Sequence, residues 1–351
     1  MAVLFVTGVR RRHRRPRQRG AHTAAAAVLV GATAASVLVD AQEVEERPAV
    51  VLFAASWGGR LRTGSSGARA VHFASHREGE GWRLTGTGDV AVDGATLVLL
   101  ADPFTFPVDG FVDELARRAP GLTVVGGLAS AARGPGGNRL VADDLVTDRG
   151  AVGLFLPPGV PVRALVSQGC RPVGDPLVIT RARDNLIEEI AGRPALDRLF
   201  ETAEAVSPED RSLMAQSLQV GLVLDEAKES FGPGDFLVRP VLGADRESRA
   251  VAVGSDVEVG TTVQFQVRDA ASASADLRAT LAEAADSAAL VFTCSSRGSH
   301  LFGEPGHDAE TVHAHVDGGA VAGMFCAGEV GPVGGRPFVH GFTASVLLLD
   351  E

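Results

Sequence analysis

"GAVGLFLPPGVPVRALVSQG", residues 150–169, sets two apolar runs end to end with Pro157, Pro158 and Gly159 between them. Short apolar runs bounded by turn residues read as buried strands, and a tight Pro/Gly connector between two of them reads as a hairpin. A chain joined in this way favours antiparallel pairing over the strict alternation of strand and helix that builds a parallel sheet. Upstream, "VVLFAASW", "AVHFASH" and "ATLVLLAD" repeat the pattern of short β-type runs between turns. One amphipathic helix, "VDGFVDELARRA", precedes the strand of "LTVVGGLAS", and "NRLVADDLV" completes this half.

Downstream, from about residue 175 to 230, the character becomes helical. "DNLIEEIAGRPALDRLFETAEAV" has Leu186, Ile190, Leu196, Leu199 and Phe200 at helical spacing, with Gly192 and Pro194 separating two elements. Ser207 followed by Pro208 supplies an N-cap and a first helical position for "EDRSLMAQSLQV". Strands return with "DFLVRPVLGAD", "AVAVGSD" and "TTVQFQVRD", and "SADLRATLAEAADSA" is the strong helix of the C-terminal half. "ALVFTCSSRG", a loop around His307 and a glycine-rich stretch come after it. The expected fold class is α+β: two lobes, divided near residue 180, built of mixed and largely antiparallel sheets with helices packed on them.

A length of 351 residues agrees with two domains. Apolar residues at 45% and charged residues at 22% allow real cores without help from disulfides or metal. Cys170, Cys294 and Cys326 are odd in number and lack CxxC spacing, which fits a reducing cytoplasm. The net charge is −10 although seven arginines crowd residues 10–19, so the rest is more acidic still and a nucleic-acid platform is excluded. "AAAAVLVGATAASVLVDAQ" imitates a secretory signal after that arginine run. It is interrupted by Gly31, Thr33 and Ser36, follows an apolar run that is out of order for a signal, and is too short for a membrane span. Residues 1–30 are therefore set apart as an atypical basic N-terminus of a cytoplasmic protein.

Signatures of common chemistry are missing. No GxSxG elbow and no GxxxxGK[ST] loop occur, and "GTGDVA" at 86–91 has no helix after it, so it reads as a turn. Cys294, His300, His307, Asp308, His313, His315, Cys326 and Glu329 are residue types that bind metals. His313 and His315, two apart on the helix expected there, point to different sides, and no metal or cofactor is assigned. "SQGCRPVG" places Cys170 after a strand with Arg171 beside it, a setting in which a guanidinium favours thiolate. That leaves a cysteine-dependent amide or ester hydrolase as the alternative reading, with His307 or His340 as base. In "FCAGEVGPVGGRPFVHGFTAS", residues 325–345, glycines that expose backbone N–H groups accompany Glu329, Arg336 and His340. Arg336 suits a carboxylate and Glu329 an ammonium group, or the two pair with each other across a tight hairpin.

Eight passages in order resemble the FIST family (F-box and intracellular signal transduction proteins). They are "GATAASVLVDAQEVEERPAV", "VVGGLAS", "RGAVGLFL", "SQGCRPVGDPLVIT", "GDFLVRPVLGAD", "VQFQVRDA", "CSSRGSHLFGEPGHD" and "GMFCAGEVGPVGGRPFVHGFTASVLLL". The resemblance implies a FIST N-terminal-type domain over 31–180 and a C-terminal-type domain over 181–351. It also implies a non-enzymatic sensory module that binds a small polar metabolite such as an amino acid and signals through a partner protein, with a ligand-free interaction scaffold as a further alternative. The motif positions carried over as ligand-binding candidates are Cys170, Arg171, Arg239, Asp269, Arg297, His307, Asp308, Glu329, Arg336 and His340, with Phe302, Phe325 and Phe342 as apolar walls. Relatives have helix where this chain has its arginine tract, a difference that a truncated start with a local frame shift would produce.

Overall fold

In the computed structural model, which describes residues 1–7, 27–56, 67–79, 81–232, 234–282, 288–316 and 319–350, the two runs of the 150–169 stretch are strands but not a hairpin. Ala151–Leu156 is flanked on both edges, by Arg69–Glu78 and by Thr96–Ala101, both antiparallel. Val162–Ser167 goes instead to the edge of another sheet, beside Ala344–Leu349. The connector explains this: Pro157, Pro158 and Pro161 lack the N–H groups that a tight turn and its ladder use. All six residues of Ala151–Leu156 are buried, as in a strand covered on both faces. The arginine tract and residues 24–26 of the signal-like segment lie outside the described residues; the rest of that segment is folded, with Leu29–Thr33 and Val37–Val39 as strands.

Six α-helices occur among the described residues: α1 Val108–Arg118, α2 Ala195–Ala205, α3 Pro208–Ser217, α4 Ala270–Leu281, α5 Ser299–Phe302 and α6 His307–His313. The α+β class holds, with strands dominant. The helix expected at 184–191 is instead the strand Leu186–Ile190, which pairs with Cys170–Arg183. Its apolar spacing suited either element; Gly192 at φ 72 and Pro194 keep the helix from starting before Ala195. Ser207 caps α3 as its sequence predicts, accepting the Asp210 N–H at 3.0 Å. No helix of the described residues is long and apolar enough to cross a membrane.

Two compact units emerge. The first gathers Met1–Val166, Thr280–Val339 and Ala344–Glu351, the second Ser167–Ala279 and His340–Thr343. Three sheets make the first unit. Ala2–Thr7 lies parallel to Leu29–Thr33 in a five-stranded sheet, and Ala288–Cys294 parallel to Val321–Cys326 in a six-stranded one. The seven-stranded sheet is centred on Thr96–Ala101, parallel to Thr123–Leu128. Its alternate residues face two cores: Val98 and Leu100 meet Phe5 and Phe292 of the other sheets, while Leu97 and Leu99 meet Phe111 and Leu115 of α1. Burial on both faces is why "TLVLLA" is apolar without alternation.

The second unit is antiparallel throughout its recorded pairings. Cys170–Arg183, at 14 residues, pairs with Thr262–Arg268 at one end and Leu186–Ile190 at the other, so the sheet closes on itself. Val220, Phe265, Val267 and Ile190 form its core with Leu196 of α2 and Met214 of α3.

Candidate functional site

The strand Ala288–Cys294 ends in a tight turn, Arg297 N–H to Cys294 C=O at 2.8 Å, that carries Arg297 back into the first unit. Arg297 has no exposed surface and meets Asp308, at the start of α6, in a two-pronged ion pair: Nε to Oδ2 at 2.7 Å and Nη2 to Oδ1 at 2.8 Å. Thr293 Oγ1 donates to the same Oδ2 at 2.6 Å, and His307 Nδ1 lies 2.9 Å from Oδ1. Burial alone would push the Asp308 carboxyl up, but Arg297, His307 and Thr293 outweigh it and hold the group well below the usual carboxylate range. The same balance holds Arg297 up: burial opposes its charge, and Asp308, then Cys294 and Glu329, favour it. Glu329, fully buried at the start of its strand, joins the cluster electrostatically.

An aromatic wall lies against this pair. The His307 ring stacks on Phe302 with centroids 3.5 Å apart and planes at 13°, and the Arg297 guanidinium sits 5.3 Å from the Phe302 centroid. Phe325 is 2% exposed, and a Cβ on Gly298 would come within 2.8 Å of its ring. Two acids that no motif singled out set the frame. Glu43 accepts the N–H groups of Gly306, Asp308 and Ala309 at 2.8, 3.0 and 3.2 Å, and Glu45 accepts from Ser299 N at 2.9 Å and Oγ at 2.5 Å. Their signal was the acid pair in "QEVEE": Glu43 lies in the strand Gln42–Val44 and Glu45 directly after it.

Arg297, His307, Asp308 and Glu329 are thus brought together, whereas the other candidates are not. Arg171 ties Asp210 of α3 and Asp269 into one knot: its Nε meets Asp269 Oδ2 at 2.7 Å and its Nη2 meets Asp210 Oδ1. Asp269 also accepts the Ala271 and Ser272 N–H groups that open α4. Burial raises the Asp269 carboxyl, yet Arg171 and these cap bonds hold it below its ordinary value. Cys170 and Arg171 are adjacent in one strand, so they face opposite ways. The guanidinium that the sequence set beside the thiol is spent on two carboxylates, and Cys170, 7% exposed, packs with Val223, Phe236 and Val238. Iodoacetamide at neutral pH should therefore label Cys170 as slowly as an ordinary buried thiol; fast labelling would restore the hydrolase reading.

Arg239 lies across from Val220 on the core-facing side of its strand. Arg336 is on the surface, paired with Asp113 at 3.0 Å rather than with Glu329. Its hairpin turns through Gly334 and Gly335, both at positive φ, as a two-residue turn of the primed type requires. His340 closes the strand Arg336–His340 at 4% exposure. A groove of about 490 Å³ between Gly81–Thr85 and α1 shares no residue with the Arg297 cluster, and its Arg83, Arg117 and Arg118 are each paired with a glutamate. Among the described residues no three His, Cys, Asp or Glu side chains gather so as to hold a metal ion.

A buried polar knot in a strand-rich α+β chain is the setting in which the comparison with known proteins places the family. The FIST N domain matches residues 1–193 and the FIST C domain residues 195–332. The chain belongs to the FIST family, whose domains are sensory domains of signal-transduction proteins. It is 42% identical over 331 residues to an uncharacterized protein of Mycobacterium bovis, covering 92% of this chain and 83% of that one. An uncharacterized protein of Mycobacterium tuberculosis is 41% identical over 331 residues, with 93% and 84% covered.

Proposed function

We propose that the chain senses a small polar metabolite carrying a carboxylate, an amino acid being the best match, in the cytoplasm, and passes the signal to a partner protein. One observation supports the reading above the rest: Arg297 Nη1 is buried without a hydrogen-bond partner, although Nε and Nη2 are both held by Asp308. Leaving a buried N–H bare costs about 1–3 kcal/mol, more for a charged group, and a ligand oxygen would recover it. Asp308 holds the guanidinium in place, Phe302 gives one apolar wall, and Glu329 is the acceptor for an ammonium group.

A thermal-shift series on the purified chain tests this with amino acids, their decarboxylated amines and simple carboxylates. A ligand at about a hundred times its dissociation constant adds roughly 2.7 kcal/mol of stability. Amino acids should raise the melting temperature and decarboxylated amines should not. Glu329→Gln should weaken amino acids more than simple carboxylates. A cooperatively melting protein that no carboxylate stabilises would overturn the proposal and favour an interaction scaffold.

A further inference from the structure

The sheet of the second unit has a side that the sequence marked only through Cys170 and Phe342. Val263, Phe265 and Val267 of the strand Thr262–Arg268 enter the core, so Gln264, Gln266 and Arg268 face the opposite way. Across from them in register, Gln219 opposes Gln266 and Gly221 opposes Gln264. Cys170, Val223, Phe236 and Val238 give this side an apolar lining. Two glutamines interrupt it, Gln266 at 1% and Gln219 at 5% exposure.

Neither glutamine is spent. Oε1 and Nε2 of Gln266 both lack a hydrogen-bond partner, and so does Oε1 of Gln219, whose Nε2 donates to Ser217 Oγ at 3.3 Å. Exchanging the O and N ends of the Gln266 amide changes nothing, since it offers an idle NH2 group and an idle carbonyl oxygen either way. Roughly nine in ten buried polar groups are bonded, so an amide idle at both ends next to a second idle carbonyl calls for an explanation. The backbone makes room for it: a Cβ on Gly221 would lie 2.7 Å from Gln266 Nε2 and 2.9 Å from Phe236 Cδ1. The amide therefore rests over a glycine shelf with an aromatic ring at its flank.

We propose that Gln219 and Gln266 form a recognition site for a neutral planar group with an N–H donor beside an acceptor on one edge, the chemistry shared by a carboxamide and by the edge of a nucleobase. A glutamine amide reads such an edge through two parallel hydrogen bonds, as it does with adenine in nucleic-acid recognition. Gln219 Oε1 accepts a further N–H. The site selects against carboxylates, because whichever way the Gln266 amide is turned its carbonyl oxygen would face an anion. It lies in the second unit and uses neither Arg297 nor Glu329, so it stands or falls apart from the carboxylate proposal.

The test is a thermal-shift and 15N NMR titration of the full chain with nicotinamide, L-asparagine amide, uracil and adenine, against nicotinic acid as the carboxylate control. At saturation, at least one amide or base should raise the melting temperature by about 4 °C or more and move the Gln266 side-chain NH2 resonance, identified by its loss in Gln266→Leu. The control should do neither. Gln266→Leu and, independently, Gln219→Leu should weaken binding tenfold or more. Response to carboxamides but not bases, or the reverse, names the source. If no probe acts, if nicotinic acid acts as well as nicotinamide, or if both leucine variants bind like the parent, the proposal is wrong.

Discussion

Asp308→Asn is expected to lower the unfolding free energy by about 3–5 kcal/mol, read as a drop in the urea midpoint at unchanged slope. The substitution keeps the side chain's shape and removes its charge, leaving Arg297 buried opposite a neutral amide. Thr293 and His307 lose their anionic acceptor in the same step. The pH dependence has a defined sign. The folded carboxyl titrates below the unfolded value of about 3.9, so its contribution is complete above that pH and is lost as pH falls towards the folded value. Glu43 acts in the opposite sense: burial, then the nearby Asp308, raise it despite three N–H donors, so its contribution declines as pH rises through its window. Asp308→Asn should flatten the acid limb of the stability curve and shrink, without abolishing, the Glu43 component, because burial, its larger cause, remains. A loss under about 1 kcal/mol with an unchanged acid limb would mean that the ion pair does not hold this part of the fold.

Gly126→Ala should have a still larger effect, above about 4 kcal/mol, and give a chain that does not melt cooperatively. Gly126 sits in Thr123–Leu128 with strands on either side, opposite Leu99 and Val330, at φ +148. A Cβ there would lie 1.9 Å from the Leu99 carbonyl oxygen. That atom belongs to a central strand buried on both faces and has no room to retreat. Gly79→Ala is the control: it carries φ +59 with nothing within 4 Å, so only the local strain of about 1–2 kcal/mol applies. Equal, small effects of both changes by circular dichroism melting would show that the strand contact is not as close as described.

Much of the strand content was legible because turn glycines and prolines bracket runs too short for helices. Pairing was not, since "GAVGLFLPPGVPVRALVSQG" gives two strands correctly but carries nothing that says each has a different partner. At Leu186–Ile190 an apolar spacing of four fitted helix and strand alike, and pairing with Cys170–Arg183 decided it. Within the site, the resemblance supplied Arg297, His307 and Asp308 together, which distance along the chain alone would not have joined. It also supplied Arg336, which the fold turns outward to Asp113. Gln219 and Gln266 left no trace, because a glutamine in an alternating strand ordinarily faces water and only the buried side of this sheet makes it unusual. "VVGGLAS" and "FCAG" meet in space: a Cβ on Gly127 would collide with Cys326 Sγ at 2.2 Å, so Cys326 needs the glycine there.

Residues 280–339 and 344–351 fold with residues 1–166, while the stretch between them belongs to the other unit. On the ribosome this imposes an order of events. The seven-stranded sheet opens its first strands early, yet Thr123–Leu128 waits for Glu329–Val333, made much later in the chain. Ala288–Cys294 likewise waits for Ala344–Leu349. For that interval of translation, apolar strand edges of the nascent chain stand without their final partners, the kind of exposure from which aggregation of a partly made chain begins.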